Sequence, residues 1–128
     1  METSNKKVLI VEDDDDLRKV LASGLSALNY AVIQAADGEA AVSMTVDHKP
    51  VLILLDLLLP KLDGFKVLDR IRHYPDPEIA GVKVIVLSNL WSNKDILRTE
   101  ALKIDEYFVK ANADLQEVYA KVKELSSI

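Results

Sequence analysis

Five polar residues stand where apolar runs of this chain end or are interrupted, and their types suit chemistry on charged groups. Glu12 and Asp13 end the first run, Asp56 interrupts the third, Ser88 ends the fourth and Lys110 ends the fifth. Ligands of open parallel sheets bind beyond the carboxyl ends of the strands. If the runs are parallel strands, three carboxylates, one hydroxyl and one ammonium therefore meet at a single edge.

The carboxylates indicate which chemistry this edge supports. Two carboxylates about 4 Å apart repel by about 4 kcal/mol at an effective dielectric constant of about 20, so three of them need protons or a cation. Hard oxygen ligands in a small, partly open site suit Mg²⁺. A divalent cation beside Lys110 and Ser88 would form a receptor for a phosphoryl group during transfer, and an aspartate can be its nucleophile.

Several of these residues also fit simpler interpretations. The acidic run 13–16 is typical of a helix cap and of charges that complement a helix dipole. Ser88 alone fits a cap, and Lys110 alone fits a surface lysine. Asp56 differs, because an acid inside the apolar run 51–59 is poorly explained by solubility and favours function. His48 and His73 have no partner at metal-ligand spacing, so we interpret both as surface residues.

The elements that must position these residues alternate along the chain. Apolar runs predict strands at 8–11, 30–35, 51–55, 82–87 and 107–109, and helical spacing predicts helices at 17–28, 38–46, 64–72, 93–102 and 115–125. Residues 74–77, with two prolines, are predicted to be loop. Five such βα units predict one α/β domain over residues 1–128, with a parallel sheet covered by helices on both faces.

Composition excludes several classes of protein. The chain has 128 residues, 49% of them apolar, and a net charge of −5, which disfavours binding to nucleic acid or to an anionic membrane. The absence of cysteine excludes disulfides and thiolate chemistry. No glycine-rich loop supports a flavin or nucleotide enzyme. With no membrane-length apolar run and no signal peptide, we expect a cytoplasmic protein.

The motifs around these residues resemble the receiver domains of two-component response regulators, and the resemblance covers essentially the whole chain. They are VLIVEDD at 8–14, LLDLLLPKLDG at 54–64, VLS at 86–88 and YFVK at 107–110. The resemblance implies a flavodoxin-like (βα)5 fold of three layers. It also implies a parallel five-stranded sheet of order 2-1-3-4-5, for which a receiver protein is a standard example.

The resemblance also implies a role for each residue of the acidic edge. Asp56 is the phosphoacceptor and one of the Mg²⁺ ligands. Asp13 binds the Mg²⁺ directly, and Glu12 binds it through water. The backbone carbonyl of Leu58 is a further ligand of the metal.

The remaining roles implied by the resemblance concern the phosphoryl group and the switch. Ser88 and Lys110 each contact a phosphoryl oxygen. Ser88 and Tyr107 couple phosphorylation to the surface made by the fourth predicted helix, the fifth strand and the fifth predicted helix. Trp91, three residues beyond Ser88, should report the change unless it is simply a packed indole.

The partners implied are a sensor histidine kinase or a phosphotransfer protein, and a downstream protein target that the sequence does not identify. The chain is expected to be a monomer or a weak dimer through the switch surface. It is expected to be a switch that assists its own phosphoryl transfer and dephosphorylation, rather than an ordinary enzyme. The alternative is a pseudo-receiver, a phosphorylation-independent interaction module. A stand-alone regulator and an excised receiver both remain open.

Four positions depart from the family's usual pattern. Ala111 replaces a proline usually joined by a cis bond, Asn89 replaces a small residue, Lys103 replaces a glycine that ends the fourth helix, and Leu59 replaces a methionine. Asn89 is expected to cover part of the site, and Lys103 forgoes an easy left-handed helix cap.

Two leucines predict a slow loss of phosphate. In receivers, the residues at positions 58 and 90 of this sequence flank the path of the attacking water. Neither Leu58 nor Leu90 has a side chain that can orient water through a hydrogen bond, and their bulk, with that of Asn89, is expected to crowd this path. The alternative is that both leucines merely pack against the neighbouring loop.

Overall fold

The computed structural model describes residues 6–90 and 92–127. Its elements in chain order are β1 (Lys7–Val11), α1 (Asp15–Ala27), β2 (Ala31–Ala35), α2 (Gly38–His48), β3 (Leu52–Leu55), α3 (Gly64–Arg72), α4 (Pro77–Ala80), β4 (Lys83–Ser88), α5 (Asn93–Ala101), β5 (Glu106–Val109), a 3-10 turn (Lys110–Asn112) and α6 (Leu115–Ser126). Trp91, predicted as a reporter, lies outside the described residues.

The strands form one parallel sheet of order β2-β1-β3-β4-β5, which confirms the predicted flavodoxin-like α/β fold. The apolar side chains of the sheet pack into two separate clusters, one on each face. One cluster joins the sheet to α2, α3 and α4, with the end of α5, and the other joins it to α1 and α6. The central strands β1 and β3 are buried on both faces, which explains their uninterrupted apolar sequences.

Most of the long helices begin at the carboxyl edge of the sheet with an acidic cap. Asp14, Asp37, Asp63 and Asp114 each accept a hydrogen bond from a backbone N–H of the first turn, and the Ser92 hydroxyl does the same for α5. These caps satisfy N–H groups that have no partner within the helix. The acidic run that follows β1 therefore includes a helix cap, as the simpler interpretation of that run predicts.

The observed elements depart most clearly from the predicted ones at two places. The prediction that residues 74–77 are entirely loop fails at Pro77, which begins the short helix α4 behind the N-cap Asp76. Proline suits this first position because its fixed φ is helical and its missing N–H needs no partner. Helix α2 continues to His48, beyond the predicted end at residue 46, and stops at Lys49 in the left-handed region.

Two departures from the family pattern have structural outcomes. Lys103, in place of a glycine, still adopts a left-handed conformation with φ of 61°. The described residues contain no cis peptide bond, so the chain passes from Lys110 to Ala111 through a trans bond and continues in the 3-10 turn.

The two ends of the described chain meet at the amino edge of the sheet, where the strands begin. The Lys6 ammonium donates to the backbone carbonyl of Ser126 in the last turn of α6. The Ser126 hydroxyl also bonds the Tyr30 hydroxyl at 2.6 Å, just before β2. No helix among the described residues is both long and apolar enough to cross a membrane.

Candidate functional site

The carboxyl edge of the sheet brings together the three acidic residues singled out in the sequence. Glu12 and Asp13 follow β1, Asp56 follows β3, and one carboxylate oxygen from each lies within 4.8 Å of the others. Glu12 and Asp56 are only 2% and 3% exposed, whereas Asp13 is exposed. We call these three residues the acidic pocket. Two of its charges are buried and the third faces solvent.

Lys110 lies between the two buried carboxylates. Its ammonium nitrogen is 2.7 Å from Glu12 Oε1 and 2.7 Å from Asp56 Oδ2. Burial raises the pKa of Glu12, and the hydrogen bond from Lys110 only partly opposes this rise. Burial lowers the pKa of Lys110, but the hydrogen bonds and the negative charges of Asp56 and Glu12 together outweigh burial, and the net shift is upward. The ammonium therefore stays charged at neutral pH and offsets part of the acidic pocket.

Backbone groups hold the remaining oxygens of the buried carboxylates. Asp56 Oδ1 accepts the Leu58 N–H at 3.1 Å, and Glu12 Oε2 accepts the Asp14 N–H at 3.1 Å. The Arg18 guanidinium donates to the backbone carbonyl of Glu12 at 2.9 Å. These bonds orient both carboxylates before any ligand arrives, which is the preorganisation that electrostatic catalysis requires.

Gly64 lets the start of α3 pack directly behind the acidic pocket. Its N–H donates to the carbonyl of Leu57 at 2.9 Å. A Cβ at this position would lie 2.6 Å from the carbonyl oxygen of Asp56 and 2.6 Å from the Cα of Leu57, closer than such atoms approach. The glycine at position 64 is therefore required by the close approach of the two backbones.

Ser88 and Tyr107 both contact the loop that follows β4. Ser88 is fully buried, and its hydroxyl accepts the Leu90 N–H at 3.5 Å. The Tyr107 hydroxyl donates to the backbone carbonyl of Leu90 at 2.5 Å. Burial raises the pKa of Tyr107, with smaller contributions from the charges of Asp95 and Asp56. Tyr107 is therefore hydrogen-bonded through Leu90 to the loop that follows Ser88, which we call the Ser88 loop.

The two leucines expected to flank the site differ in exposure. Leu58 is 52% exposed beside Asp56, while Leu90 is half-buried and packs against the core. Of the two leucines, Leu58 is therefore the one whose side chain is accessible to solvent.

Sequence reasoning missed two contacts of this edge. It assigned no partner to Asn89, whose side chain accepts a hydrogen bond from the Ala111 N–H at 3.1 Å. It also gave no role to Arg18, which reaches back from α1 to Glu12. The second contact had a local signal, because an arginine one turn into α1 lies close to the end of β1. The first had none, since its partners are 22 positions apart.

The donor set of the acidic pocket fits Mg²⁺. All three side chains offer carboxylate oxygens, which are the hard ligands that this ion prefers. Three carboxylates with one ammonium leave an uncompensated negative charge, which a divalent cation would neutralise. Receiver domains generally bind Mg²⁺ at an acidic pocket of this kind.

Comparison with known proteins identifies the family. The model of the response regulator receiver domain matches residues 8–123, so this chain belongs to the response regulator receiver domain family. Members of the family are generally switches without enzymatic turnover, and they interact with histidine kinases or phosphotransfer proteins. The resemblance expected from the sequence motifs is confirmed.

Two curated relatives and one solved structure illustrate this similarity. The chain is 34% identical over 125 residues to the probable transcriptional regulator ycf27 of Cyanophora paradoxa, covering 98% of this chain and 50% of that protein. It is 34% identical over 119 residues to the DNA-binding dual master transcriptional regulator RpaA of Synechocystis sp., covering 93% and 48%. The signal receiver domain of a signal transduction histidine kinase from Syntrophus aciditrophicus superposes with a TM-score of 0.84 at 26% identity, covering 95% and 90%.

The chain spans about half the length of the curated relatives it matches. What those longer proteins do beyond their matched half is a property of the relatives.

Proposed function

We propose that Asp56 accepts a phosphoryl group from the phosphohistidine of a histidine kinase or a phosphotransfer protein. One observation carries this proposal: a buried aspartate at the end of a central strand has two further carboxylates within 4.8 Å and a lysine ammonium at 2.7 Å. A structural aspartate has no need of such neighbours, whereas a phosphoacceptor needs positive charge close to the incoming phosphoryl oxygens.

The transfer needs few groups from the protein. An oxygen of the Asp56 carboxylate attacks phosphorus, the P–N bond of the donor breaks, and its electron pair returns to the imidazole. The Leu58 N–H and the Lys110 ammonium already orient the carboxylate, so little reorganisation is required. As charge builds on the phosphoryl oxygens, Lys110 exchanges a carboxylate contact for a phosphoryl contact, and Ser88 binds a second oxygen.

The acidic pocket would hold the metal in this function. Asp13, Asp56 and the backbone carbonyl of Leu58 would bind Mg²⁺ directly, and Glu12 would bind it through water. When bound, the ion supplies positive charge that neutralises the carboxylates and the transferring group.

Phosphorylation would be read on the surface formed by α5, β5 and α6. Ser88 ends β4 in front of α5, and Tyr107 lies on β5 with its hydroxyl on the Leu90 carbonyl. When Ser88 moves towards the phosphoryl group, the Leu90 carbonyl moves too, and Tyr107 is free to rotate. The partner on this surface is a protein target or a second copy in a weak dimer.

The net charge of −5 disfavours DNA binding by this domain itself. In a longer protein such as the relative named DNA-binding RpaA, DNA contacts would belong to the part outside the matched half. The domain is therefore proposed to regulate such a part and to contact no nucleic acid.

Mass spectrometry tests this function. Wild-type protein incubated with acetyl phosphate and Mg²⁺ should gain the mass of one phosphoryl group, and Asp56→Asn should gain none. Omitting Mg²⁺ from the wild-type reaction should greatly reduce the product. An unmodified wild type would favour the alternative, a pseudo-receiver that acts without phosphorylation. Modification of Asp56→Asn would show that the phosphoacceptor is another residue.

A further inference from the structure

The backbone ladder between β4 and β5 stops one step before Lys110. Its last pair joins Ser88 to Val109, and the chain then leaves the sheet in the 3-10 turn Lys110–Asn112. Val109, the N-cap of this turn, contributes no side-chain hydrogen bond. The first N–H groups of a helical turn have no partner inside the turn. The Ala111 N–H therefore has to bond outside the turn, either to another part of the chain or to water.

Asn89 supplies that partner from the neighbouring loop. Its side-chain Oδ1 accepts the Ala111 N–H at 3.1 Å. Asn89 directly follows Ser88, and Ala111 directly follows Lys110. The bond therefore continues the connection between β4 and β5 by one more step, with a side chain in place of a backbone carbonyl.

We propose that Asn89 is a positioning residue for Lys110, holding the start of the 3-10 turn so that the ammonium reaches both buried carboxylates of the acidic pocket. This inference deepens the proposed function and rests on it, because it explains how Lys110 is placed for phosphoryl transfer.

The two contacts of Lys110 require a fixed backbone. The ammonium is 2.7 Å from one oxygen of Glu12 and 2.7 Å from one oxygen of Asp56. A lysine side chain is flexible, so a constellation of this kind stays within about 0.5 Å only when the residues around it are held. Apart from the Asn89 bond, the turn has the hydrogen bond from the Ala113 N–H to the Lys110 carbonyl, which is long at 3.3 Å.

The two departures from the family pattern at positions 89 and 111 belong together. A small residue at position 89 would offer no side-chain acceptor, and a proline at position 111 would offer no N–H donor. The hydrogen bond therefore requires both departures, because Asn89 supplies the acceptor and Ala111 supplies the donor.

The solvent exposure of Asn89 and Ala111 distinguishes a positioning role for their hydrogen bond from a role in overall stability. Asn89 and Ala111 are both exposed, so water can replace either partner when the bond is lost. The free energy of unfolding should therefore change little when Asn89 is truncated, while the placement of Lys110 should change.

The experiment compares wild type with Asn89→Ala, which removes the acceptor, and Asn89→Asp, which keeps an oxygen acceptor. The matched control is Asn112→Ala, the same truncation at an exposed asparagine of the same turn, for which the described residues show no side-chain hydrogen bond. Urea melts establish that all variants are folded. NMR then measures the exchange rate of the Ala111 amide and the Lys110 side-chain resonances in Mg²⁺-free protein. Phosphorylation rates are measured with acetyl phosphate at saturating Mg²⁺.

In Asn89→Ala, the Ala111 amide should exchange about fivefold faster, the Lys110 resonances should shift, and phosphorylation should slow by roughly threefold to tenfold, the range that one hydrogen bond supports. Asn89→Asp should restore the slow exchange and most of the rate, and Asn112→Ala should match wild type. In a Lys110→Ala background, adding Asn89→Ala should cause no further loss, because the residue acts through Lys110.

Unchanged Ala111 exchange, unchanged Lys110 resonances or an additive double variant would overturn the positioning role. If wild-type protein accepts no phosphoryl group, the proposed function fails. The positioning role of Asn89 is then tested by amide exchange at Ala111 and by the Lys110 resonances, since neither measurement requires phosphorylation.

Discussion

Two cations with limited exposure occupy opposite edges of the sheet, and their partners differ in kind. At the carboxyl edge, Lys110 contacts the carboxylates of Glu12 and Asp56. At the amino edge, Arg72 from the end of α3 donates, among the described residues, only to backbone carbonyls. They are those of Ala80 at 2.8 Å, Val82 at 2.7 Å, Leu102 at 2.8 Å and Lys103 at 3.0 Å.

The difference indicates which of the two cations can exchange its partners and which cannot. The planar guanidinium of Arg72 donates to carbonyl oxygens next to α4 and at the end of α5. Its hydrogen bonds are already satisfied by these neutral acceptors, so a change of partners would gain nothing. Burial lowers the pKa of Arg72, and the charge of Asp105 only partly opposes this. Lys110 is a point charge on a flexible stem between anionic oxygens, and it can turn towards another anion. Arg72 is therefore an anchor, and Lys110 is a movable counter-ion.

The anchor should produce the largest effect on stability. Arg72→Ala leaves four carbonyls without their donor and should lower the free energy of unfolding by about 4 kcal/mol in urea melts. Arg72→Lys should recover less than half, because an ammonium cannot reach all four oxygens. Arg70→Ala, at an exposed arginine of the same helix, is the control and should cost at most about 0.5 kcal/mol. Equal losses for Arg72→Ala and Arg70→Ala would remove the contrast between the edges.

The counter-ion should affect chemistry instead. Lys110→Ala should slow phosphorylation of Asp56 by acetyl phosphate about 100-fold, the scale for one preorganised donor to developing charge. The control is Lys61→Ala, since Lys61 lies near the same edge but pairs with Asp37 at 3.6 Å. A Lys110→Ala rate close to that of the Lys61→Ala control would mean that the ammonium is only structural.

The exposed leucine beside Asp56 should control how long the phosphoryl group lasts. Wild-type protein should lose it slowly, because neither Leu58 nor Leu90 orients a water molecule. Leu58→Asn should accelerate the loss by up to about 100-fold, the lower end for a group that positions a proton transfer, with a smaller gain for Leu90→Glu, whose position is half-buried. Decay of the phosphorylated protein at fixed Mg²⁺ is the measurement. Rapid decay of wild type, or no acceleration in either variant, contradicts this account.

The tie between Tyr107 and the Ser88 loop should have a moderate effect. Tyr107→Phe removes one hydrogen bond to the Leu90 carbonyl and should cost about 1 kcal/mol in urea melts. A phosphoryl mimic with Mg²⁺ should shift the NMR signals of Tyr107 in wild type and change Trp91 fluorescence. If both remain untouched, phosphorylation is not coupled to the α5, β5 and α6 surface through this tyrosine.

The smallest effect should come from the exposed member of the acidic pocket. Asp13→Ala removes one repelling charge and should stabilise the Mg²⁺-free protein by about 0.5 kcal/mol, since an exposed charge is well screened. The same variant should lose Mg²⁺ binding, so added Mg²⁺ should no longer shift its urea melt. A large loss of stability without Mg²⁺ would show that Asp13 is structural rather than a source of repulsion.

The carboxyl edge could be predicted largely from local sequence. Buried strands that alternate with helices must place their carboxyl ends together, so the positions of Glu12 and Asp56 follow from where their apolar runs stop. Helix α4 could also have been predicted, because Asp76 followed by Pro77 is a helix-start signal. The two prolines in residues 74–77 favoured the prediction of a loop instead.

The amino edge could not be predicted in the same way. Arg72 donates to carbonyls 8 to 31 positions away. Every residue has a backbone carbonyl, so the residue types at these positions do not reveal which carbonyls accept a hydrogen bond. This anchor also explains why Lys103 tolerates a left-handed conformation that a glycine would adopt more easily. The bonds from Arg72 to the carbonyls of Leu102 and Lys103 stabilise the end of α5 that the substitution strains. The hydrogen bond between Asn89 and the Ala111 N–H could not be predicted for the same reason, because its partners are 22 positions apart in the sequence.

The meeting of Lys6 with Ser126 determines how this domain can be tethered. Because Lys6 and Ser126 lie at the amino edge, a partner joined to the chain at these two described positions would start on the side of the sheet opposite Asp56. Such an attachment would lie on the far side of the sheet from the acidic pocket, where the proposed phosphodonor would bind. The same proximity suits circular permutation, since a short linker could join the two ends without crossing the sheet.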